Sequence, residues 1–125
     1  MMYTYNQAVE FVIAVIERHP QGRAHVYVMP DSGITVCANV HVIDGVKTPG
    51  CLVGSVFIDL LGIDAVPQYG TARNVIVKTN TKWTPKAFAF LMRVQRAQDF
   101  GKTWGAAFDM AVDSVKDMEE MEEEE

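Results

Sequence analysis

A chain of 125 residues, 49% hydrophobic and 22% charged, is long enough for one domain with a single hydrophobic core. Its two cysteines exclude a disulfide-rich secreted scaffold, and we expect both to be reduced and buried. The longest apolar stretch, Cys51 to Ile58, is too short to cross a bilayer. Together with an N-terminus unlike a signal peptide, this composition predicts a cytoplasmic protein without a membrane partner.

The net charge of −5 is unevenly distributed along the chain. Residues 117–125 hold seven acidic residues, which leaves residues 1–116 with a net charge of +2. Like charges repel one another and bury little apolar area, so we predict one folded domain, 1–116, and a disordered acidic tail, 117–125. Three roles for the tail stay open: a solubilising end, an intermittent contact with basic residues of the domain, or an imitation of nucleic-acid phosphates toward a host protein.

The first predicted element is an amphipathic helix near the N-terminus. Thr4 and Gln7 have the spacing of a capping box, in which each side chain bonds the other residue's backbone N–H. Pro20 and Gly22 end the helical pattern. Between them, apolar residues recur at helical spacing and form one stripe: Ala8, Phe11, Val12, Val15 and Ile16.

A region rich in β-branched residues follows. Residues 25–29 and 34–43 are predicted strands joined by a tight turn. The alternation of residue types along 34–43 is typical of an antiparallel strand with one buried face. The pair Asp44-Gly45 is a second turn signal and predicts a short third strand at 46–47.

The middle of the chain predicts one apolar helix and a segment of ambiguous structure. Thr48 and Pro49 have the chemistry of a helix N-cap and first turn, and Gly62 ends the apolar run. Gly54 inside this helix indicates a close backbone approach, because glycine there costs about 1 kcal/mol relative to alanine. Residues 74–78 fit either a strand or an irregular segment.

Two further helices are predicted near the C-terminus. Thr84 and Pro85 begin the first, which reaches Phe100, and Thr103 begins the second. Their short connection favours an antiparallel helical hairpin. The face that we expect the first of them to bury is Ala87, Phe90, Leu91, Val94 and Gln98. The predicted fold class is therefore α+β: a small antiparallel sheet of two or three strands packed by about four helices.

Several short motifs follow one another in a set order between residues 45 and 115. They are Thr48-Pro49-Gly50-Cys51-Leu52-Val53-Gly54, Leu60-Leu61-Gly62, Phe90-Leu91, Gln95-Arg96-Ala97-Gln98-Asp99 and Trp104-Gly105-Ala106-Ala107. This combination resembles a group of small uncharacterised proteins encoded by bacteriophages of actinobacteria. The resemblance implies a phage protein that acts in the host cytoplasm, and its motifs contain no catalytic signature.

Two patterns suggest catalytic chemistry without completing it. The tripeptide at 101–103 matches the end of a phosphate-binding loop, but Arg96 stands where that motif needs its first glycine. Cys37 and His41 share a predicted strand face, yet residues four apart on a strand are about 13 Å apart, beyond thiol–imidazole contact. We therefore assign no catalytic, cofactor-binding or metal-binding residue, and we expect no cofactor.

A run of basic residues is the clearest candidate for an interaction surface. Within residues 73–102, seven basic residues accompany a single acidic residue, Asp99. Basic side chains near an aromatic residue can bind phosphates and stack on bases, although the same residues also suit the solvated face of a helix. The set, called the basic run below, is Arg73, Lys78, Lys82, Trp83, Lys86, Arg93, Arg96 and Lys102.

The sequence favours a non-enzymatic phage accessory protein that binds a host protein in the cytoplasm. One alternative is a nucleic-acid-binding module that uses the basic run, and a second is a small hydrolase or transferase. Ionic strength separates the first two, because phosphate contacts weaken steeply as salt is raised. An enzyme is expected to show a deep pocket lined by convergent polar groups.

Overall fold

The computed structural model describes residues 2–18, 26–28, 35–37, 39–68, 70–100 and 102–120, and most of them are helical. The α-helices in this part of the chain are α1, Tyr5–Arg18; α2, Leu52–Leu61; α3, Ala72–Thr79; α4, Pro85–Asp99; and α5, Trp104–Val115. A short 3₁₀ turn, Ile63–Ala65, follows α2. No helix among the described residues has the length and apolarity needed to span a bilayer.

The strands among the described residues are short and form two separate antiparallel pairs. β1, Val26–Val28, pairs with β2, Thr35–Cys37, and β3, Val40–Ile43, pairs with β4, Val46–Pro49. The tight turn predicted between the first two strands lies outside the described residues. The turn predicted at Asp44-Gly45 is confirmed, with φ angles of 50° and 79°, as a two-residue hairpin of type I′ requires.

The predicted α+β class, a sheet of two or three strands packed by about four helices, is wrong. Helices dominate the described part of the chain, and its two strand pairs do not join into one sheet. The single strand predicted at 34–43 is interrupted at Asn39, whose backbone N–H donates to the Gln68 carbonyl at 2.7 Å. The Asn39 side chain donates to the Pro67 carbonyl at 3.2 Å. Because Asn39 pairs with a loop, the ladder of a longer strand cannot continue through it.

The second helix, α2, begins later than the sequence predicted. Thr48 and Pro49, the expected cap and first turn, belong to β4 instead. The N-cap is Cys51, whose thiol sulfur accepts from the Gly54 N–H at 3.4 Å. Gly62 ends α2 with a φ of 91°, as predicted. The N-cap of this helix is thus a thiol sulfur, a weak acceptor, rather than the more usual threonine followed by proline.

Residues 74–78, expected to form a strand or an irregular segment, lie in α3. The hydroxyl of Thr71 caps this helix by accepting a backbone N–H of the first turn at 3.3 Å. The Gln95 side chain of α4 accepts from the Ala72 N–H in the same turn. Part of the stabilisation of α3 therefore comes from a residue more than twenty positions away, which a local pattern does not reveal.

The helices enclose one hydrophobic core with α4 at its centre. α4 contacts α1, α2, α3 and α5, and its predicted buried face is confirmed, since all five residues of that face are fully buried. The largest fully buried apolar side chains belong to α2 and α4: Phe57, Phe90, Leu52 and Leu91. Because α4 buries most of its circumference, only a narrow strip of it reaches solvent, and Arg93 and Arg96 lie there.

Candidate functional site

A cleft of about 240 Å³ opens between the C-terminal half of α4 and α5. Thr84 and Thr103 fix where these two helices begin, since their hydroxyls accept backbone N–H groups of the first turn at 3.2 and 3.3 Å. The two helices pack against each other along their length as a helical hairpin. We call this opening the α4–α5 cleft, and its lining includes Arg93, Arg96, Phe100, Met110 and Ser114.

Two arginines form the basic rim of the α4–α5 cleft. Arg93 Nη1 donates to the Ser114 hydroxyl at 3.0 Å and to the Ser114 carbonyl at 3.4 Å, which holds the guanidinium against α5. The guanidinium carbon of Arg96 lies 5.8 Å from the Phe100 ring centroid, within cation–π range. Among the described residues, the lining of the cleft carries two positive charges and no carboxylate.

Large apolar side chains lie exposed beside these arginines. Phe100 is 74% exposed and Met110 is 50% exposed. Exposed aromatic and methionine side chains next to arginine are typical of the residues enriched in protein–protein interfaces. The arrangement can therefore hold an apolar side chain of a ligand while the guanidinium groups pair with a neighbouring anion.

The rest of the basic run is spread over other surfaces. The guanidinium carbon of Arg73, on α3, lies 5.7 Å from the Phe88 ring centroid. Lys78 is exposed in the last turn of α3, and Lys102 is exposed just before α5. The structure thus separates residues that the sequence places in one run.

Trp83, the aromatic member of the basic run, belongs to the core. It is 7% exposed, and its ring centroid lies 4.5 Å from that of Tyr3 and 5.6 Å from that of Phe57. Its indole Nε1–H donates to the Thr81 hydroxyl at 2.9 Å. A ring held in this way is not available to stack on a base.

Lys82 lies in the segment just before α4, and Lys86 lies in the first turn of that helix. The ammonium nitrogen of Lys86 is 4.4 Å from the Tyr5 ring centroid at the start of α1. Lys86 and Arg93 are seven residues apart, which is about 10 Å along a helix. The basic run therefore contributes one group of charges at each end of α4.

A second cleft, of about 350 Å³, lies between the end of α2 and the α3–α4 connection. Two hydroxyls of its lining are already hydrogen-bonded within the protein. The Thr79 hydroxyl donates to the Val75 carbonyl at 2.6 Å, and the Thr81 hydroxyl accepts from Trp83. The ionisable side chains in its lining are the Lys82 amine and the Tyr3 phenol. This cleft does not bring together groups for acid–base or nucleophilic chemistry.

Sequence reasoning missed a buried polar cluster that joins α2, α3 and α4. The Cys51 thiol donates to Asn39 Oδ1 at 3.0 Å, and Gln98 Oε1 accepts from the Leu52 N–H at 2.7 Å. Gln95 Nε2 donates to a loop carbonyl at 3.2 Å. These side chains are buried and hydrogen-bonded, so they support helix ends rather than chemistry. Two glutamines on the apolar side of α4 were the signal that could have revealed the cluster.

The catalytic patterns of the sequence gain no support. Cys37 and His41 lie in different strand pairs, β1–β2 and β3–β4, and their side chains are outside the described residues. Thr103 of the 101–103 tripeptide is the N-cap of α5. Across the ranges that the structure describes, no group of three or more His, Cys, Asp or Glu residues could hold a metal ion.

No protein-family model, no curated protein and no solved structure matches this chain.

Proposed function

We propose that this protein is a non-enzymatic binding protein that holds a partner protein at the α4–α5 cleft. The observation that carries the proposal is the exposed Phe100 and Met110 beside the guanidinium groups of Arg93 and Arg96. Aromatic and arginine residues contribute most of the binding energy in many protein interfaces. The cleft is also smaller than the 300–1,000 Å³ that is roughly usual for small-molecule pockets, which favours a side chain of a macromolecule as its occupant.

The chemistry of the cleft favours an acidic partner segment with an apolar anchor residue. A carboxylate of the partner would pair with Arg93 or Arg96, and the anchor would lie against Phe100. The guanidinium of Arg96 is already oriented by the Phe100 ring, so little further ordering is needed on binding.

The resemblance to small proteins of actinobacterial phages supports a host-cell protein as the partner, met in the host cytoplasm. The α4–α5 cleft is the surface that we propose for this contact.

Nucleic-acid binding is the second candidate, favoured by the number of basic residues in the run. Two observations count against it. Trp83 is in the core, and the basic residues divide between the two ends of α4 and the surface of α3. A nucleic-acid interface gains from phosphate contacts along one continuous basic face with exposed aromatic platforms.

The test is an affinity capture from host lysate, with and without nuclease, using the wild-type chain and two matched charge variants. Arg96→Glu changes the cleft, while Arg73→Glu changes another arginine that packs on an aromatic ring, outside the cleft. Phe100→Ala removes the exposed ring.

We expect Arg96→Glu and Phe100→Ala each to reduce the captured partner at least about ten-fold, equivalent to about 1.4 kcal/mol. Arg73→Glu and nuclease should leave the capture unchanged. Equal capture by all variants would contradict the proposal. Loss of capture on nuclease treatment, with an affinity for DNA that falls steeply with salt, would instead support the second candidate.

A further inference from the structure

The helices α1 and α4 begin side by side. Tyr3 N–H donates to the Lys82 carbonyl at 2.8 Å, and Thr84 N–H donates to the Tyr3 carbonyl at 2.9 Å, so the segments before the two helices pair in parallel. The helices then start at Tyr5 and Pro85. Their amino ends therefore lie together, and each carries the positive end of a helix dipole.

Two lysine side chains add positive charge to that of the helix dipoles at this shared amino end. Lys86 lies in the first turn of α4 with its ammonium nitrogen over the Tyr5 ring, and Lys82 is exposed in the segment before α4. The first turns of both helices contain no acidic residue, although acidic side chains are the usual partners of a helix amino end. We call this surface, formed by Tyr5, Lys82 and Lys86, the amino-terminal platform.

A carboxylate from the C-terminal segment already lies on the platform. Glu120 Oε1 accepts from the Tyr5 N–H at 3.0 Å. The capping box at the start of α1 satisfies the N–H groups of Thr4 and Gln7, at 2.9 and 3.2 Å, and leaves the Tyr5 N–H for another acceptor. Glu120 supplies the negative charge that the first turn of α1 lacks.

We infer that the acidic C-terminal segment, residues 119–125, docks on the amino-terminal platform of its own chain. Glu120 anchors the segment at Tyr5. The five residues after Glu120 include four glutamates and extend up to about 16 Å. The ammonium of Lys86 is well within that reach, and Lys82 immediately precedes the same helix end. Each exposed ion pair is weak alone, so the docking depends on several of them together and is reversible.

Docking in this way occupies one end of α4 and leaves the other open. The α4–α5 cleft begins at Arg93, about 10 Å beyond Lys86 along the helix. The inference does not depend on the proposed function of that cleft. The segment acts as an intramolecular ligand that shields Lys82 and Lys86 from other anions.

Amide resonances measured by NMR test the inference, comparing the full chain with a chain truncated after Met118. We expect the amides of Tyr5 and Lys86 to shift on truncation at low salt. The shift should fall by more than half at about 1 M salt, where the screening length is about 3 Å. A peptide of residues 117–125, added to the truncated chain, should restore the original resonances.

Two substitutions that each remove one negative charge make the test more specific. Glu120→Gln should reproduce most of the Tyr5 shift, while Glu119→Gln, one position away, should reproduce little of it. The melting temperatures of all variants should agree within a few degrees, so that the shifts report the contact rather than unfolding.

Unchanged Tyr5 and Lys86 resonances in the truncated chain at low salt would overturn the inference. So would shifts confined to Arg93 and Arg96, which would place the segment on the cleft. Shifts that vanish on dilution of the full chain would also overturn it, since they would assign the contact to a second copy.

Discussion

Gly54 lies where the backbone of α2 passes against Asn39. A Cβ added to Gly54 would lie 2.7 Å from the Asn39 Cα and 2.8 Å from the Asn39 carbonyl oxygen. Asn39 cannot easily yield, because it is 1% exposed and its side chain bonds both Cys51 and Pro67. The close backbone approach predicted at Gly54 is confirmed.

Replacing Gly54 by alanine should therefore destabilise the protein by more than about 1 kcal/mol, in spite of the higher helix propensity of alanine. Gly105 in α5 is the matched control, because a Cβ there meets nothing within 4 Å. Gly105→Ala should stabilise the protein by about 0.4–1 kcal/mol. Urea denaturation of both variants measures the difference, and a neutral Gly54→Ala would show that the contact can relax.

The pKa of the Tyr5 phenol depends on its burial and on a nearby charge. Burial is the main cause that raises the pKa of the Tyr5 phenol above its ordinary value of 10.0, and the nearby negative charge of Glu120 raises it further. Because folding raises this pKa, the neutral phenol favours the folded state. This contribution to the free energy of unfolding is fully present below a pH of about 10, and it is lost as the pH rises through the folded-state pKa.

In the Glu120→Gln variant we expect the pKa of Tyr5 to move down toward its ordinary value and to stay above it, since burial persists. The Tyr5 ring resonances followed through an alkaline NMR titration measure this pKa. An unchanged pKa of Tyr5 would mean that Glu120 does not lie close to Tyr5 in solution.

At the scale of elements, α4 sets where two other helices begin. Its Gln98 side chain accepts from the first N–H of α2, and its Gln95 side chain accepts from the first N–H of α3. Helix starts leave N–H groups without intrahelical partners, and here a neighbouring helix satisfies one of them in each case. The limits of α2 and α3 therefore depend on the docking of α4.

Replacing Gln98 by leucine should destabilise the protein by about 1–3 kcal/mol, because the Leu52 N–H would be left buried without this acceptor. Met92→Leu, on the exposed side of the same helix, is the control and should change stability by less than about 0.5 kcal/mol. Chemical denaturation measures both. If Gln98→Leu were as mild as the control, the start of α2 would not depend on this hydrogen bond.

At the scale of the whole molecule, packing around α4 decides which basic residues remain on a common surface. α4 is surrounded by four helices, so its charged residues reach solvent only at its amino end and along the strip beside α5. The four basic residues on α4 and just before it thus form two groups of charges with different neighbours: Tyr5 and Glu120 at one end, Phe100 and Ser114 at the other.

The sequence by itself determined α1, α4 and α5 with their threonine caps, and the buried face of α4, because capping and helical periodicity act within a few residues. It also determined the turn at Asp44-Gly45, which follows from the backbone freedom of those two residues. The sequence also showed the four arginine and lysine residues on α4 and just before it. It did not show that they form two separate groups on the surface.

Only the tertiary structure decided the break at Asn39, the late start of α2, the helix at α3 and the burial of Trp83. Each depends on a partner distant in sequence: the Gln68 carbonyl for Asn39, Gln98 for α2, Gln95 for α3 and Tyr3 for Trp83. A β-branched segment such as 74–78 has no strong local preference, so hydrogen bonds and packing supplied by another element select its conformation.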